Sequence, residues 1–186
     1  ITKEKVWYYR APSYSITRDS LWALEVLCER GIQYDSSLFP IKHDLYGMTG
    51  IPRFPFRLTL ENGRELVELP PSTLRLWGGN MPFAGGGYLR HFPFWFIKNG
   101  IRKLNQKGEP VIFYIHPWEF DLSQPRLDVD FFSSFRHYSN LEVSENRLRH
   151  LLSKFRFTSL GDAMKSYDIR SWPDSAANGN GMIRGR

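Results

Sequence analysis

The run Val111-Ile112-Phe113-Tyr114-Ile115 leads straight into His116-Pro117-Trp118-Glu119. Gly108 and Pro110 bound it on one side and Pro117 on the other. A short, continuous, β-prone apolar run so bounded reads as a buried strand of a parallel sheet. Polar groups at the carboxyl end of such a strand face the crevice in which α/β proteins hold ligands. His116 therefore stands where chemistry is usually done, although a histidine bonded within the core fits the same position. Trp118 and Glu119 either line that groove or pack and cap the following loop. Asp121–Asn140 is polar and irregular and reads as a loop over the site.

Ahead of this strand, Val6-Trp7-Tyr8-Tyr9 reads as another buried strand, ending at Arg10. An arginine closing an apolar strand calls for an acidic partner, buried or at the surface. Pro12 forces a loop. Thr17 or Asp19 can cap a helix from about Ser20 to Arg30, with Leu21, Leu24, Leu27 and Cys28 on one face and Gly31 as its stop. Ile32-Gln33-Tyr34 is a short strand leading into Asp35-Ser36-Ser37, which completes a βαβ unit. Asp35 there is a functional acid or an Asx-turn acceptor.

Prolines at 40, 52, 55, 70, 71 and 82 then break the pattern. Phe56–Leu60 and Glu65–Leu69 alternate around Glu61-Asn62-Gly63-Arg64, a strong hairpin signal. The segment 41–88 reads as an insertion carrying this β-hairpin, outside the parallel sheet. It closes on Gly85-Gly86-Gly87, which brings backbone close to a ligand or makes a flexible turn before a helix. No Gly-Lys-Ser/Thr follows, so it is not a phosphate-binding Walker loop. Arg90 beside it can grip a sugar carboxylate with both nitrogens or lie on the surface.

Helical spacing covers Phe94–Lys107, then Ser144–Lys154 with Ser144 as cap and Leu148, Leu151 and Leu152 inward, and Ser159–Tyr167. Phe155-Arg156-Phe157 reads as a last short strand. From Ser171 onward the Ala, Asn and Gly content suggests a disordered tail. The fold class expected is α/β, with one domain over 1–170 and a tail over 171–186.

Composition enters through what it excludes. A chain of 186 residues can bury a real core. The net charge of +6 favours acidic partners. The basic residues are dispersed, however, and no homeodomain, zinc-finger or RNA-recognition signature is present, so nucleic acid is not an expected partner. No apolar run approaches the ~18 residues of a membrane span. The single cysteine, Cys28, excludes an internal disulfide and reads as a small buried apolar residue. Aromatics make up 16% of the chain, enough for a core of Phe and Tyr or for a sugar-stacking cleft. The chain begins with Ile and enters a strand-like run within ten residues, so it reads as the later part of a longer product; a cytoplasmic location is the working guess.

Tyr9-Arg10-Ala11-Pro12-Ser13-Tyr14-Ser15-Ile16 resembles the Arg-x-Pro segment of NodB-homology polysaccharide deacetylases. Tyr34-Asp35-Ser36-Ser37-Leu38-Phe39-Pro40 resembles the aspartate-bearing segment that follows it, and Phe113-Tyr114-Ile115-His116-Pro117-Trp118-Glu119 the strand-end histidine segment. Ala84-Gly85-Gly86-Gly87-Tyr88-Leu89-Arg90 and Phe135-Arg136-His137-Tyr138 resemble the subgroup encoded beside exosortase-type exopolysaccharide loci. The resemblance spans roughly residues 5 to 165.

It implies the C-terminal part of a distorted (β/α) barrel and metal-dependent removal of acetyl groups from an N-acetylated polysaccharide or oligosaccharide. It implies His116 as the acid that protonates the leaving amine, Asp35 as the residue that orients or charges it, and Arg10 as the holder of the catalytic base. Ala11-Pro12-Ser13 matches a loop facing the oxyanion, and Pro12, Ser13, Tyr14, Gly86, Arg90, Trp118 and Glu119 are the candidates for substrate contact. The family's base and its metal ligands precede the Arg-x-Pro segment. They would lie ahead of Ile1, so no residue of this chain is assigned to a metal, and the divalent ion, zinc in expectation, belongs to the longer parent. This chain alone is then expected to be inactive. The alternative is a non-catalytic carbohydrate-binding remnant of the same fold.

Overall fold

The computed structural model describes residues 3–43, 46–178 and 182–185. In chain order the first elements are β1 (Tyr8–Tyr9), α1 (Trp22–Glu29), β2 (Tyr34–Asp35), β3 (Phe56–Thr59), β4 (Glu65–Glu68), β5 (Thr73–Leu76) and β6 (Gly79–Pro82). There follow α2 (Gly86–His91), α3 (Phe94–Asn105), α4 (Phe131–Tyr138), α5 (Ser144–Lys154), α6 (Leu160–Ser166), β7 (Asp174–Asn178) and β8 (Met182–Gly185). The chain divides into two compact units, Ile1–Met81 with Ser159–Arg186, and Pro82–Thr158.

The first unit is built on a six-stranded mixed sheet in the order β1-β2-β4-β3-β7-β8. The expected βαβ unit is present: β1 pairs parallel with β2, Tyr8 opposite Tyr34 and Tyr9 opposite Asp35. α1 connects them and turns Leu24 into a core with Leu38, Phe56, Leu58 and Leu66. Thr17 and Ser20 form the capping box that starts this segment. Cys28 packs half-buried against the same core. β1 differs from the buried strand expected at Val6–Tyr9. It lies at an edge of the sheet, and Val6 and Trp7 are exposed.

The hairpin forms where Asn62-Gly63 predicts it, with β3 antiparallel to β4. It is not an insertion outside the sheet, however. β4 pairs parallel with β2, Tyr34 opposite Val67 and Asp35 opposite Glu68, so the hairpin sits at the sheet centre. The sequence end also differs from the disordered tail expected over 171–186. β7 pairs parallel with β3, and β8 antiparallel with β7. Without β7, the far side of β3 would be an open ladder. Arg57 fixes the register by gripping the Asp174 carboxylate with Nε and Nη2, at 2.7 and 2.8 Å. Residues 179–181 and 186 of that expected tail lie outside the described residues.

The second unit is helical. α3 buries Ile97, Gly100, Ile101 and Leu104, one stripe at helical spacing. α5 spans the segment expected, but only Leu151 is fully buried; Leu152 is exposed. A 3₁₀ turn at Leu141–Val143 precedes α5, so Ser144 is its first residue and not its cap. The run 111–115 forms no strand among the described residues. Its one ladder contact is a parallel bridge from Tyr114 to Gly85. Ile112 is buried and Ile115 is exposed. Apolar β-prone chain makes a strand only where a neighbour supplies the ladder, and here most of that ladder is missing. Phe155-Arg156-Phe157 likewise runs without a strand. No helix among the described residues is long and apolar enough to cross a membrane.

Candidate functional site

Three strands of the first unit, β1, β2 and β4, run parallel and end together in polar residues. Arg10 follows β1 and donates from Nε to the Ser36 carbonyl at 3.1 Å and from Nη2 to Ser36 Oγ at 2.7 Å. Ser36 Oγ donates in turn to the Leu69 carbonyl. The next serine is arranged in the same way. Ser37 Oγ donates to Asp35 Oδ1 at 2.8 Å and accepts from the Ala11 amide at 2.8 Å. The loop after Arg10 is thus pinned to the loop after Asp35 at Arg10 and Ala11, where its first turn begins.

That turn is conformationally unusual. Ser13 and Tyr14 both have positive φ, 54° and 52°, without being glycine. Side chains disfavour this region, and an isolated chain would leave it. Here Tyr14 N–H donates to Ala11 O at 3.1 Å and Ser15 N–H to Pro12 O at 3.2 Å. The Tyr14 ring is buried against Phe39, with centroids 5.0 Å apart. An open groove of about 290 Å³ lies beside this loop, lined by Tyr9, Ala11, Ser15, Ile16 and α1 residues including Trp22.

Asp35 also has a partner that sequence reasoning missed. Glu68 lies directly opposite it across the β2–β4 ladder, and both are 0% exposed. Glu68 Oε1 accepts from the Leu38 amide at 3.0 Å, and Asp35 Oδ2 from the Ser37 amide at 2.9 Å. Glu68 Oε2 is buried with no hydrogen-bond partner among the described residues, and the residue across the ladder from Glu68 is Asp35. Two acceptors can bond only when one carries a proton. Burial, followed by the Asp35 charge, pushes Glu68 well above the ordinary carboxyl range; burial also raises Asp35, against hydrogen bonds from Glu68 and Ser37. The missed signal was a matched pair of strand ends, Tyr34-Asp35-Ser36 and Val67-Glu68-Leu69.

The second unit gathers the other candidates. His116 is exposed and opens a 3₁₀ turn over Pro117–Phe120. Glu119 of that turn reaches back, its Oε2 accepting from the His116 amide at 2.9 Å. Its Oε1 pairs with Arg90 Nη2 at 3.4 Å, and both side chains are 2% exposed. Arg90 also donates to the final carbonyls of α4: Nη1 to His137 O and Ser139 O at 3.1 and 2.8 Å, Nη2 to Arg136 O at 3.1 Å. A cation suits the negative end of a helix. Burial lowers the Arg90 pKa and the Glu119 carboxylate raises it. Arg147 does the same service for α2, donating to Leu89, Arg90 and Phe92 carbonyls.

The glycines explain themselves in this setting. A Cβ on Gly86 would fall inside the Glu119 carboxylate, and one on Gly85 inside the Tyr114 ring. The close approach is made by this chain's own side chains, and Gly86 begins α2 instead of a flexible turn. Trp118 stacks on His137 at 3.9 Å between centroids and lies near-parallel to His116 at 5.8 Å. Burial, then Arg90, lowers the His137 pKa.

The expected site residues thus fall into two groups. Arg10, Pro12, Ser13, Tyr14 and Asp35 assemble in the first unit. Gly86, Arg90, His116, Trp118 and Glu119 assemble in the second. Arg90 and Glu119 are both buried, with each other, the end of α4 and the His116 amide as their partners. Among the described residues no group of three or more His, Cys, Asp or Glu is placed to hold a metal. The ion that the resemblance implies therefore finds no such donor set in the residues described.

Neither the curated proteins nor the solved structures provide a significant match. One family matches over residues 36–165, a span that holds Asp35's serine neighbours, the glycine block, Arg90 and the His116 turn. The chain belongs to that family, described as a domain of unknown function, DUF3473.

Proposed function

We propose that this chain supplies proton-handling and loop-forming parts of a hydrolase that removes N-acetyl groups from a polysaccharide or its precursor, within a distorted (β/α) barrel. The observation that carries this reading is the strand-end network of the first unit. Arg10, Ser36, Ser37 and Asp35 hold a left-handed turn at Ser13–Tyr14 that the sequence would not adopt unaided. Such conformations persist where surrounding structure over-determines them, and they cluster at functional sites.

Each residue then has a definite task. Addition of water to the acetamide carbonyl places negative charge on its oxygen. The resemblance gives the oxyanion-facing role to the Ala11-Pro12-Ser13 loop, whose turn is held by the Ala11, Tyr14 and Ser15 amides. The C–N bond breaks as the nitrogen gains a proton from His116, leaving acetate and a free amine. Arg10 and Asp35 keep their two loops in register. The metal that this reaction class uses belongs, in this reading, to residues outside those described.

The test is acetate release from chito-oligosaccharide, with added zinc, by the full reading frame that contains this chain. Release should fall by about 10²–10⁴ in His116→Ala, with oligosaccharide binding kept. Binding without release in the parent would overturn the enzyme and leave a carbohydrate-binding protein.

A further inference from the structure

The geometry points to Glu119 as a positioning residue that fixes His116 through its backbone, with Arg90 and Gly86 as the parts that hold Glu119 in place. The inference rests on the proton-donor role proposed for His116. His116 itself is exposed and begins a turn at the end of chain that has almost no ladder to hold it. What holds it is the Glu119 carboxylate, which accepts from the His116 amide at 2.9 Å, while the Glu119 amide donates to the His116 carbonyl at 3.0 Å. The residue is clasped on both sides of its own Cα.

Three observations make this more than a local turn. The carboxylate is 2% exposed, so water does not compete for it. Its second oxygen faces Arg90, whose guanidinium is fixed by three carbonyls at the end of α4. The orientation of Glu119 is thereby set by a helix and not by its own rotamer freedom. Finally, the space it fills exists only because residue 86 lacks a Cβ.

Misplacing a reacting group by about 1 Å can cost on the order of 10²-fold in rate. Glu119→Ala in the full reading frame should therefore lower kcat by about 10–100-fold with KM unchanged. Glu119→Gln, which keeps an oxygen for the His116 amide, should recover part of the loss. In the 186-residue chain, hydrogen exchange at the His116 amide should speed up about tenfold or more in Glu119→Ala and less in Glu119→Gln. Should Glu119→Ala fail to fold, Gly86→Ala displaces the carboxylate while keeping it, and exchange at His116 should again accelerate. Unchanged exchange overturns the clasp, and a raised KM with kcat intact makes Glu119 a substrate contact instead. If the parent releases no acetate, the deacetylase reading fails on its own, and exchange at His116 still decides the clasp.

Discussion

Glu68 and Glu119 are equally withdrawn from water, at 0% and 2% exposure, yet the groups beside them differ in sign. Glu68 faces another carboxyl, Asp35, across two parallel strands. Glu119 faces the Arg90 guanidinium. An isolated buried charge is too costly to persist, so each must be neutralised. In the second unit the Arg90 guanidinium does this; in the first, burial raises both carboxyls, which favours their protonated form. A proton leaves when pH rises, whereas an arginine keeps its charge. The strand ends that hold Arg10 and Asp35 are therefore the part of the fold expected to respond as pH rises.

The largest effect should come from removing the cation. Arg90→Ala strips the buried Glu119 of its partner and frees three carbonyls of α4. Breaking a buried pair from one side costs about 3–5 kcal/mol, which urea unfolding would read as a large drop in midpoint. A loss below about 1 kcal/mol would mean that Arg90 is a surface residue after all.

A smaller effect, of a different shape, belongs to Glu68. Both carboxyls of the pair are raised in the folded protein, so the fold is favoured by binding the proton. That stabilisation is complete below the ordinary values of 4.5 for Glu68 and 3.8 for Asp35, and is lost as pH rises through the raised folded values. Stability of the wild-type chain should thus decline from weakly acid toward alkaline pH. Glu68→Gln offers Asp35 a permanent donor, so its decline should be shallower, leaving it about 1 kcal/mol better off relative to wild type at alkaline pH. Parallel curves for the two proteins would remove the proton from the comparison.

Much of this was legible in the residues. The stripes Leu21/Leu24 and Ile97/Ile101/Leu104 announce α1 and α3, and Asn62-Gly63 announces the β3–β4 turn. Arg10 and Asp35 were legible as strand-end groups, because a polar residue closing an apolar run has few other places to be. Glu68 was not. The alternation through Glu65–Leu69 reads as a half-exposed hairpin, and its burial comes from pairing with β2, some thirty residues away. Arg90 read as a grip for a sugar carboxylate or a surface arginine, because backbone carbonyls of α4 are partners that no side-chain pattern reveals. The strand at 111–115 was misread for the converse reason: composition gave the propensity, but a ladder needs a neighbour. The same holds for 174–178, where weak β-formers become a strand because β3 offers one.

The most direct measurement is a ¹³C titration of the Asp35 and Glu68 side-chain carboxyls. One shared proton predicts that the pair titrates in two separated steps, the upper one well above the ordinary carboxyl range. Two independent transitions near the ordinary values of 3.8 and 4.5 would contradict it and leave the two buried glutamates without the contrast drawn between them.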